Sequence, residues 1–471
     1  MKSEKQGELV RSLGLFSVFM LTVSSIIGSG IYKKVAPMAA ALGSADLVLW
    51  CLVAAGLISL FGALSNAEIA GMLADSGGEY NYYSKIYNKF FAFLFGWTNF
   101  TAIRSASAAS VAYVFAESLN SMISLPTLPE TWAQISLWGI FTPFDNFGVK
   151  LVAIVLIGGL SYVNYIGLKV GEGLSRWILI IVVLSIFLII ILGLAMGGGS
   201  YTNFQTPASN YVEHSITDAE FLSGVFAALL AAFWAYEGWS AIGYLGGEIK
   251  NPNRVLPLAF GLGVLFVIVV YVGINFTYLF VLPIDEVIKA DQSQNVIVAV
   301  EVVRRFLGGP GVIFISILIL FTTFGCTNTT LLTPPRLFYA MAKEGMFFKS
   351  SAYIHPKYNT PSNAISLQGW WAAILIFSGS FDQLTDMLVF ASFIFYGATA
   401  LGVFILRVKM PDVHRPYKAW GYPIVPAFFV LFCLALVIVT LVTKPREALM
   451  GLGLMLVGIP FYLYWNRTSK Q

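Results

Sequence analysis

Charge is what this sequence has least of. Only 11% of its 471 residues are Asp, Glu, Lys or Arg, where a water-soluble domain carries about 25%. So few charges cannot solvate a chain of this length, which excludes an ordinary soluble domain. Histidine is scarcer still: His214, His355 and His414 are the whole supply, and all three fall in expected loops. H-E-x-x-H, G-x-S-x-G and P-loop patterns are missing, as are Asp/Glu pairs at metal spacing inside the apolar runs. An enzyme, a metal site and a bound cofactor are therefore not expected. Cysteine is limited to Cys51, Cys326 and Cys433. Each lies in an apolar run, where a thiol behaves as a small apolar side chain, and no disulfide framework emerges. No Lys/Arg-rich stretch stands apart from an apolar segment. The net charge of +4 thus speaks for basic loops at a membrane face rather than for nucleic acid.

What the chain has instead is hydrophobic length. Hydrophobic residues make up 58%, and runs of 18 or more recur from end to end, the signature of spanning helices. Twelve spans are expected, at roughly 15–41, 46–72, 90–119, 149–167, 174–197, 221–247, 255–281, 310–341, 362–380, 384–407, 422–443 and 446–466. Lipid cannot satisfy an open backbone, so the fold class is all-α integral membrane, one transmembrane domain over 1–471. The first run is too long for a signal peptide and no small-residue cleavage site follows it, so it is expected to stay in the membrane.

Basic residues orient the bundle. With the N-terminus inside, outer segments hold only Lys150, Lys289, Arg304, Arg305, Lys444 and Arg446, and Lys33, Lys34 and Arg104 fall within spans. The other nineteen of the 28 basic residues are then inside, a clear positive-inside bias that puts both termini in the cytoplasm of a cell (plasma or inner) membrane protein. The outer loops Asn120 to Gly148 and Gly198 to Glu220 are long, and the mixed-charge loop Pro283 to Gly309 has room for a short surface helix.

Two spans are interrupted. Span one contains Ile27-Gly28-Ser29-Gly30-Ile31 near its midpoint, and span six contains Phe233-Trp234-Ala235-Tyr236-Glu237-Gly238-Trp239 near its own. Glycine costs a helix about 1 kcal/mol relative to alanine and permits unusual backbone angles. An ionisable Glu237 at bilayer depth must face protein or water. Interrupted spans at corresponding places in two halves point to a transporter's midplane site. The halves are spans one to five (about 15–197) and six to ten (about 221–407), with additional helices over about 422–466. Where a helix unwinds, its outer part begins with free N–H groups that suit a carboxylate. Its inner part ends in free carbonyls that suit an ammonium. A facing pair of breaks therefore offers both poles of a free amino acid. The competing explanation, that Gly28 and Gly30 merely allow close helix packing, is weakened by the second break.

These residues resemble the amino acid–polyamine–organocation (APC) superfamily, in its L-amino-acid transporter-like branch. Ile26-Ile27-Gly28-Ser29-Gly30-Ile31-Tyr32 is similar to that branch's I-I-G-S-G-I-F, and Ala235-Tyr236-Glu237-Gly238-Trp239 to its A-Y-[DG]-G-W. Gly247 to Pro252, Phe324 to Asn328, Arg336, Met341 to Gly345, Ile354 to Tyr358 and Arg415-Pro416-Tyr417 follow its order from residue 13 to about 430. The resemblance implies a LeuT-like five-plus-five inverted repeat with discontinuous helices one and six, and alternating access. It implies that a substrate carboxylate meets the N–H groups of Ser29, Gly30 and Ile31. The amine would meet carbonyls near Ile27, Trp234, Ala235 and Glu237, with Gly28 and Gly238 shaping the breaks and Trp234 as an aromatic gate. Ordinary packing is the rival role for Trp234. Two departures stand out. The lysine many sodium-independent members carry in span five is absent from Leu179-Ile180-Ile181-Val182-Val183. The cysteine of the eukaryotic light subunits is absent from the loop Asn120 to Gly148, so no disulfide-linked heavy chain is expected.

Lys33 and Lys34 lie about 5 Å outward of the break, too deep for easy snorkelling to an interface about 15 Å from the midplane. One of them could supply the charge missing from span five; a salt bridge or a tilt toward water is the alternative. Arg104 is expected to be structural, bonded to carbonyls of a neighbouring helix. Glu237 is a proton carrier, a partner for a cation or a hydrogen-bonded structural acid. Asn328 is expected to link helices. With Lys33 and Lys34, these three are the coupling candidates. The resulting expectation is an amino acid permease for neutral L-amino acids, working as an exchanger or a proton-coupled symporter. The alternatives are an amino-acid-binding membrane sensor and a transporter of a related amine such as a polyamine.

Overall fold

A computed structural model describes residues 9–135, 142–209, 211, 218–292, 297–377 and 381–468. His214, Lys2, Lys5 and Lys470 of the loop and orientation arguments lie outside the described residues. The described chain is helical, with no β-strand longer than an isolated bridge. In order, the helices are α1 (Leu15–Ile26), α2 (Gly30–Lys33), α3 (Val35–Leu42), α4 (Ala45–Met72), α5 (Glu79–Ile86) and α6 (Lys89–Thr98). A π-turn (Asn99–Ile103) leads into α7 (Arg104–Asn120), followed by the short α8 (Glu130–Ala133), then α9 (Phe147–Tyr165), α10 (Leu168–Met196) and the short α11 (Thr202–Gln205). The second half holds α12 (Ala219–Tyr236), a 3-10 segment (Trp239–Tyr244), α13 (Pro252–Val281), α14 (Ile284–Gln292), α15 (Val298–Leu332), α16 (Pro335–Lys343), α17 (Ser362–Leu375) and α18 (Phe381–Lys409). The last three are α19 (Ile424–Thr443), α20 (Pro445–Leu456) and α21 (Gly458–Thr468).

Ten of these helices or helix runs are long and apolar enough to cross a membrane among the described residues. The chain is therefore a multi-pass membrane protein. Two further stretches expected as spans do not meet that measure, each for a visible reason. The run α6–α7 is diluted by Asn99, Arg104, Ser105, Ser107 and Ser110, all buried. A helix surrounded by protein has no need of a lipophilic surface. The other stretch, α17, is 14 residues long. Lipid-facing helices show the opposite pattern: on α10, Trp177, Ile181, Leu184 and Ile191 are exposed while Leu179, Val182 and Ile186 are buried.

The bundle is organised around α1, α7, α13 and α15. Helix α13 packs along both α4 and α1, and α15 along α7 and α10. Small residues permit the close approaches, as expected between membrane helices. A methyl group placed on Gly263 of α13 would come within 2.7 Å of Thr22 Cγ2, and one on Gly325 of α15 within 2.8 Å of Ile178 Cγ2. Buried hydroxyls and amides join the helices where they meet. Asn328 donates to the Gly171 carbonyl and Ser175 Oγ, both at 2.8 Å, and Asn164 Nδ2 lies 3.1 Å from Asn328 Oδ1. This is the linking role expected for Asn328, on the side of α15 turned toward α9 and α10. The eighth span, expected at 310–341, is two helices: α15 begins earlier, at Val298 in the expected loop, and kinks at Gly308 (φ 60°), and a second helix, α16, starts at Pro335. The mixed-charge loop does hold a surface helix, α14, which packs on α3.

Candidate substrate site

Both expected breaks are present. Helix α1 stops at Ile26, Ile27 is extended (φ −73°, ψ 100°), and α2 starts at Gly30. Helix α12 stops at Tyr236, Glu237 is extended (φ −66°, ψ 149°), and Gly238 takes φ +112°, an angle that favours glycine. The two breaks lie against each other. A methyl group on Gly30 would fall 2.6 Å from Ala235 Cα, and one on Gly238 would fall 2.3 Å from the Ser25 carbonyl oxygen. Ser25 Oγ also approaches the Gly238 carbonyl at 3.1 Å. Gly28 faces a third helix, with Cys326 Sγ of α15 2.8 Å from its would-be Cβ.

Main-chain polarity at the breaks follows from the geometry. Tyr32 and Lys33 N–H groups both reach the Ser29 carbonyl at 3.2 Å. The N–H groups of Ser29, Gly30 and Ile31 precede them, at the start of a helix whose first turn has no internal acceptors. Ser29 Oγ is buried there with no hydrogen-bond partner among the described residues, a polar group that wants one. On the carbonyl side, Tyr271 Oη of α13 sits 3.0 Å from both the Ile26 and Ala235 carbonyl oxygens. One hydroxyl thus ties the ends of α1 and α12. The Trp234 carbonyl accepts from the Glu237 N–H at 3.1 Å. Trp234 is 6% exposed, and Ile27, Gly28, Ser29, Gly30, Ile31, Ala235, Glu237 and Gly238 are buried as well. The region is closed to both faces of the bundle.

Glu237 has a definite partner. Arg104 Nη1 donates to Glu237 Oε1 at 3.1 Å, Tyr396 Oη of α18 donates to the same oxygen at 2.7 Å, and Arg104 Nη2 donates to Ser240 Oγ at 3.0 Å. Of the three roles open to Glu237, the geometry is that of an acid in contact with a cation, Arg104, and with a tyrosine hydroxyl. Arg104 was expected to bond carbonyls of a neighbouring helix; its partners are the Glu237 and Ser240 side chains. The π-turn immediately before Arg104 adds a residue to that turn and sets the direction of the guanidinium. Such bulges recur at functional sites.

Lys33 and Lys34 point to different helices, as adjacent helical residues must. Lys33 Nζ pairs with Glu117 of α7 at 2.7 Å and is partly exposed. Lys34 is 4% exposed and its Nζ donates to Thr385 Oγ1 of α18 at 3.2 Å. Both thus fasten the α2–α3 part of the first broken helix to its neighbours. At the opposite face, near the start of α1, Ser12 and Leu13 N–H groups bond the Glu248 carbonyl, and Lys250 N–H bonds the Leu13 carbonyl. The Glu248 carboxylate takes a bidentate pair from Arg336 at 2.8 and 3.0 Å, fully buried.

Sequence reasoning did not single out Glu79, Glu117, Tyr271 or Tyr396. Glu79 and Glu117 read as loop or span-end acids, and the tyrosines read as ordinary aromatic content of apolar runs. Only Glu117 carried a usable signal: an acid in span three whose partner cation, Lys33, lies in span one.

A helix bundle with two facing helix breaks, buried from both of its faces and bordered by main-chain N–H and carbonyl groups, is the framework of a small-molecule transporter. The chain belongs to the amino acid permease family, whose pattern it matches over residues 13–459. It is 29% identical to the serine/threonine exchanger SteT of Bacillus subtilis, over 98% of each chain. It is 31% identical to the human b(0,+)-type amino acid transporter 1 (97% of this chain, 88% of the relative) and 27% identical to the human cystine/glutamate transporter (99% and 88%). Amino acid transport is what these relatives share, and none is an enzyme by name.

Proposed function

We propose that this protein is a secondary active permease for neutral L-amino acids. It works by alternating access, as an exchanger or a proton-coupled symporter. The observation that carries the proposal is the pair of breaks in contact, Gly30 against Ala235 and Gly238 against Ser25. The substrate carboxylate binds the N–H groups of Ser29, Gly30 and Ile31, assisted by the Ser29 hydroxyl. The ammonium binds carbonyls on the other side of the breaks, around Ile27, Trp234, Ala235 and Glu237, and Trp234 closes over the side chain. Neutral substrates are favoured because Arg104 already cancels the Glu237 charge, and relatives that include a serine/threonine exchanger support the same reading.

The bundle is read as twelve spans, counting α6–α7 and α17, in a five-plus-five inverted repeat with both termini in the cytoplasm. Two sets of contacts then form the gates. Lys33–Glu117 and Lys34–Thr385 close the outside, and the Leu13–Glu248–Lys250 main-chain pairing with Arg336 closes the cytoplasmic side. Each gate grips one part of a broken helix. An outward-open state releases α2–α3 from α7 and α18, and an inward-open state releases α1 and the 3-10 segment. Binding links the two, because one ligand spans groups from both broken helices.

The test is radiolabelled uptake into proteoliposomes, with and without internal amino acid, a sodium gradient and a pH gradient. Saturable uptake of small neutral amino acids, stimulated by internal amino acid, is expected for an exchanger. No uptake of any amino acid in all these conditions would sink the transporter reading. Tight amino acid binding without uptake would favour a sensor, and polyamine uptake alone would move the substrate class.

A further inference from the structure

Arg104 is shared by more acid than it can neutralise. Beyond Glu237, a second carboxylate, Glu79, lies close enough to feel the guanidinium. Glu79 belongs to α5, in the connection between α4 and α6, yet it is 2% exposed. Its Oε1 accepts a hydrogen bond from the neutral Asn66 Nδ2 of α4 at 3.1 Å, its Oε2 has no geometric partner among the described residues, and the Ser240 hydroxyl and the Glu79 backbone N–H lie near the carboxylate. Tyr82 Oη is likewise buried without one. Both atoms point to one spot over the 3-10 segment: a Cβ on Gly243 would lie 3.6 Å from Tyr82 Oη and 3.7 Å from Glu79 Oε2.

The charged and titratable groups around this spot come from every packed element. Tyr82 and Tyr83 come from α5, Arg104 from α7, Tyr244 from the 3-10 segment, Glu237 from the break and Tyr396 from α18. Nearby, Tyr80 of α5 is engaged by Glu344, and Glu68 of α4 by Arg407 and Arg415. Asp75, before α5, is exposed. Two buried carboxylates thus face one guanidinium that is bonded to the other of them. With no cation of its own, the buried Glu79 favours its neutral form.

We propose that Glu79 is a proton-binding site of the transport cycle, protonated in the outward-open state and ionised when the cytoplasmic side opens. The proposal rests on the transporter reading above. Residues 75–78 and the 3-10 segment are joined by Gly77 N–H to the Tyr244 carbonyl at 3.1 Å and by a Ser76–Leu245 bridge. Withdrawal of that segment in an inward-open state uncovers the carboxyl to water. The O–H bond of Glu79 then breaks, its proton leaving to cytoplasmic water, and the carboxylate is hydrated. The empty carrier re-closes with Glu79 ionised, and its O–H bond re-forms with a proton that enters from external water in the outward-open state, so that one proton crosses per cycle. Burial pushes the Glu79 carboxyl up to about 7, so the change falls in the working pH range.

The experiment uses full-length protein in proteoliposomes with a radiolabelled neutral amino acid that exchanges. One proton per substrate under a one-unit, acid-outside pH gradient supports up to about tenfold accumulation. Wild type is expected to accumulate substrate toward that limit, and its exchange rate at equal pH on both sides should titrate with a midpoint of about 7. Glu79→Gln, shaped like the protonated acid, is expected to exchange without that titration and to accumulate nothing. Asn66→Leu removes a hydrogen bond that favours the anion and is expected to move the midpoint to higher pH. Gradient-driven accumulation by Glu79→Gln at the wild-type level overturns the proposal, as does an unmoved midpoint in Asn66→Leu if Glu79→Gln does not fold. Wild-type exchange with no pH response also overturns it, while leaving the transporter reading intact. Absence of any exchange by wild type overturns the reading beneath it.

Discussion

Gly30→Ala is the most direct test of two breaks in contact. The added methyl carbon would lie 2.6 Å from Ala235 Cα, 2.8 Å from Ala235 Cβ and 3.3 Å from Ala235 N. Carbon atoms pack comfortably from about 3.5 Å, so α2 and α12 must separate by about 0.9 Å at this point. The obstacle is main chain, and no rotamer change relieves it. Overpacking of this kind costs about 1–3 kcal/mol. Spent on the site, that is about 5- to 150-fold in substrate affinity. Two neighbours serve as controls. Gly28→Ala meets only the Cys326 side chain, at 2.8 Å from Sγ, so the double variant Gly28→Ala/Cys326→Ala should recover what Gly28→Ala loses. Gly158→Ala on α9 meets nothing within 4 Å and should transport as wild type. The assay is kcat/KM for uptake, normalised to monodisperse protein from size-exclusion chromatography. Gly30→Ala transporting within twofold of wild type would refute the facing-break geometry.

Removing one member of the Arg104–Glu237 pair strands the other in a buried setting, at a cost of about 3–5 kcal/mol. Arg104→Met alone should therefore give poorly folded protein by thermal melting in detergent, and Arg104→Met/Glu237→Gln should recover much of the loss. Tyr271→Phe deletes the hydroxyl that serves the Ile26 and Ala235 carbonyls, an expected loss of about 1–3 kcal/mol; a melting curve and substrate affinity both at wild-type values would contradict it. Lys33→Ala breaks a partly exposed ion pair worth about 1 kcal/mol or less, so uptake should change less than about fivefold. Lys34→Ala, at a 4% exposed position, should cost more, and the reverse order in matched uptake assays would contradict the packing described.

Much of this was legible in the sequence because membrane helices announce themselves by composition. The breaks were legible too, since glycines and an acid at bilayer depth are conspicuous against apolar runs. What lies around Arg104 was not. A π-turn leaves no trace in hydrophobic periodicity, so α6–α7 read as one helix and the direction of Arg104 could not be derived. Its pairing with Glu237 joins positions 133 residues apart, and nothing local encodes that. Glu79 was passed over for a similar reason: a short polar helix between two spans reads as solvated, and only the folded chain buries it beneath the site. The kink at Gly308 was hidden by a mixed-charge stretch that resembled loop.

The main-chain pairing of Ser12 and Leu13 with Glu248, and of Lys250 with Leu13, joins the approach to α1 to the segment that follows the 3-10 turn. These are arms of the two broken helices on one face of the bundle, the cytoplasmic face in the proposed orientation, and backbone bonds hold them regardless of side chain. Neither arm can swing without dragging the other. In the proposed cycle, leakage through a half-opened door, with one arm out and one in, is mechanically disfavoured, and a crosslink freezing either arm should arrest both.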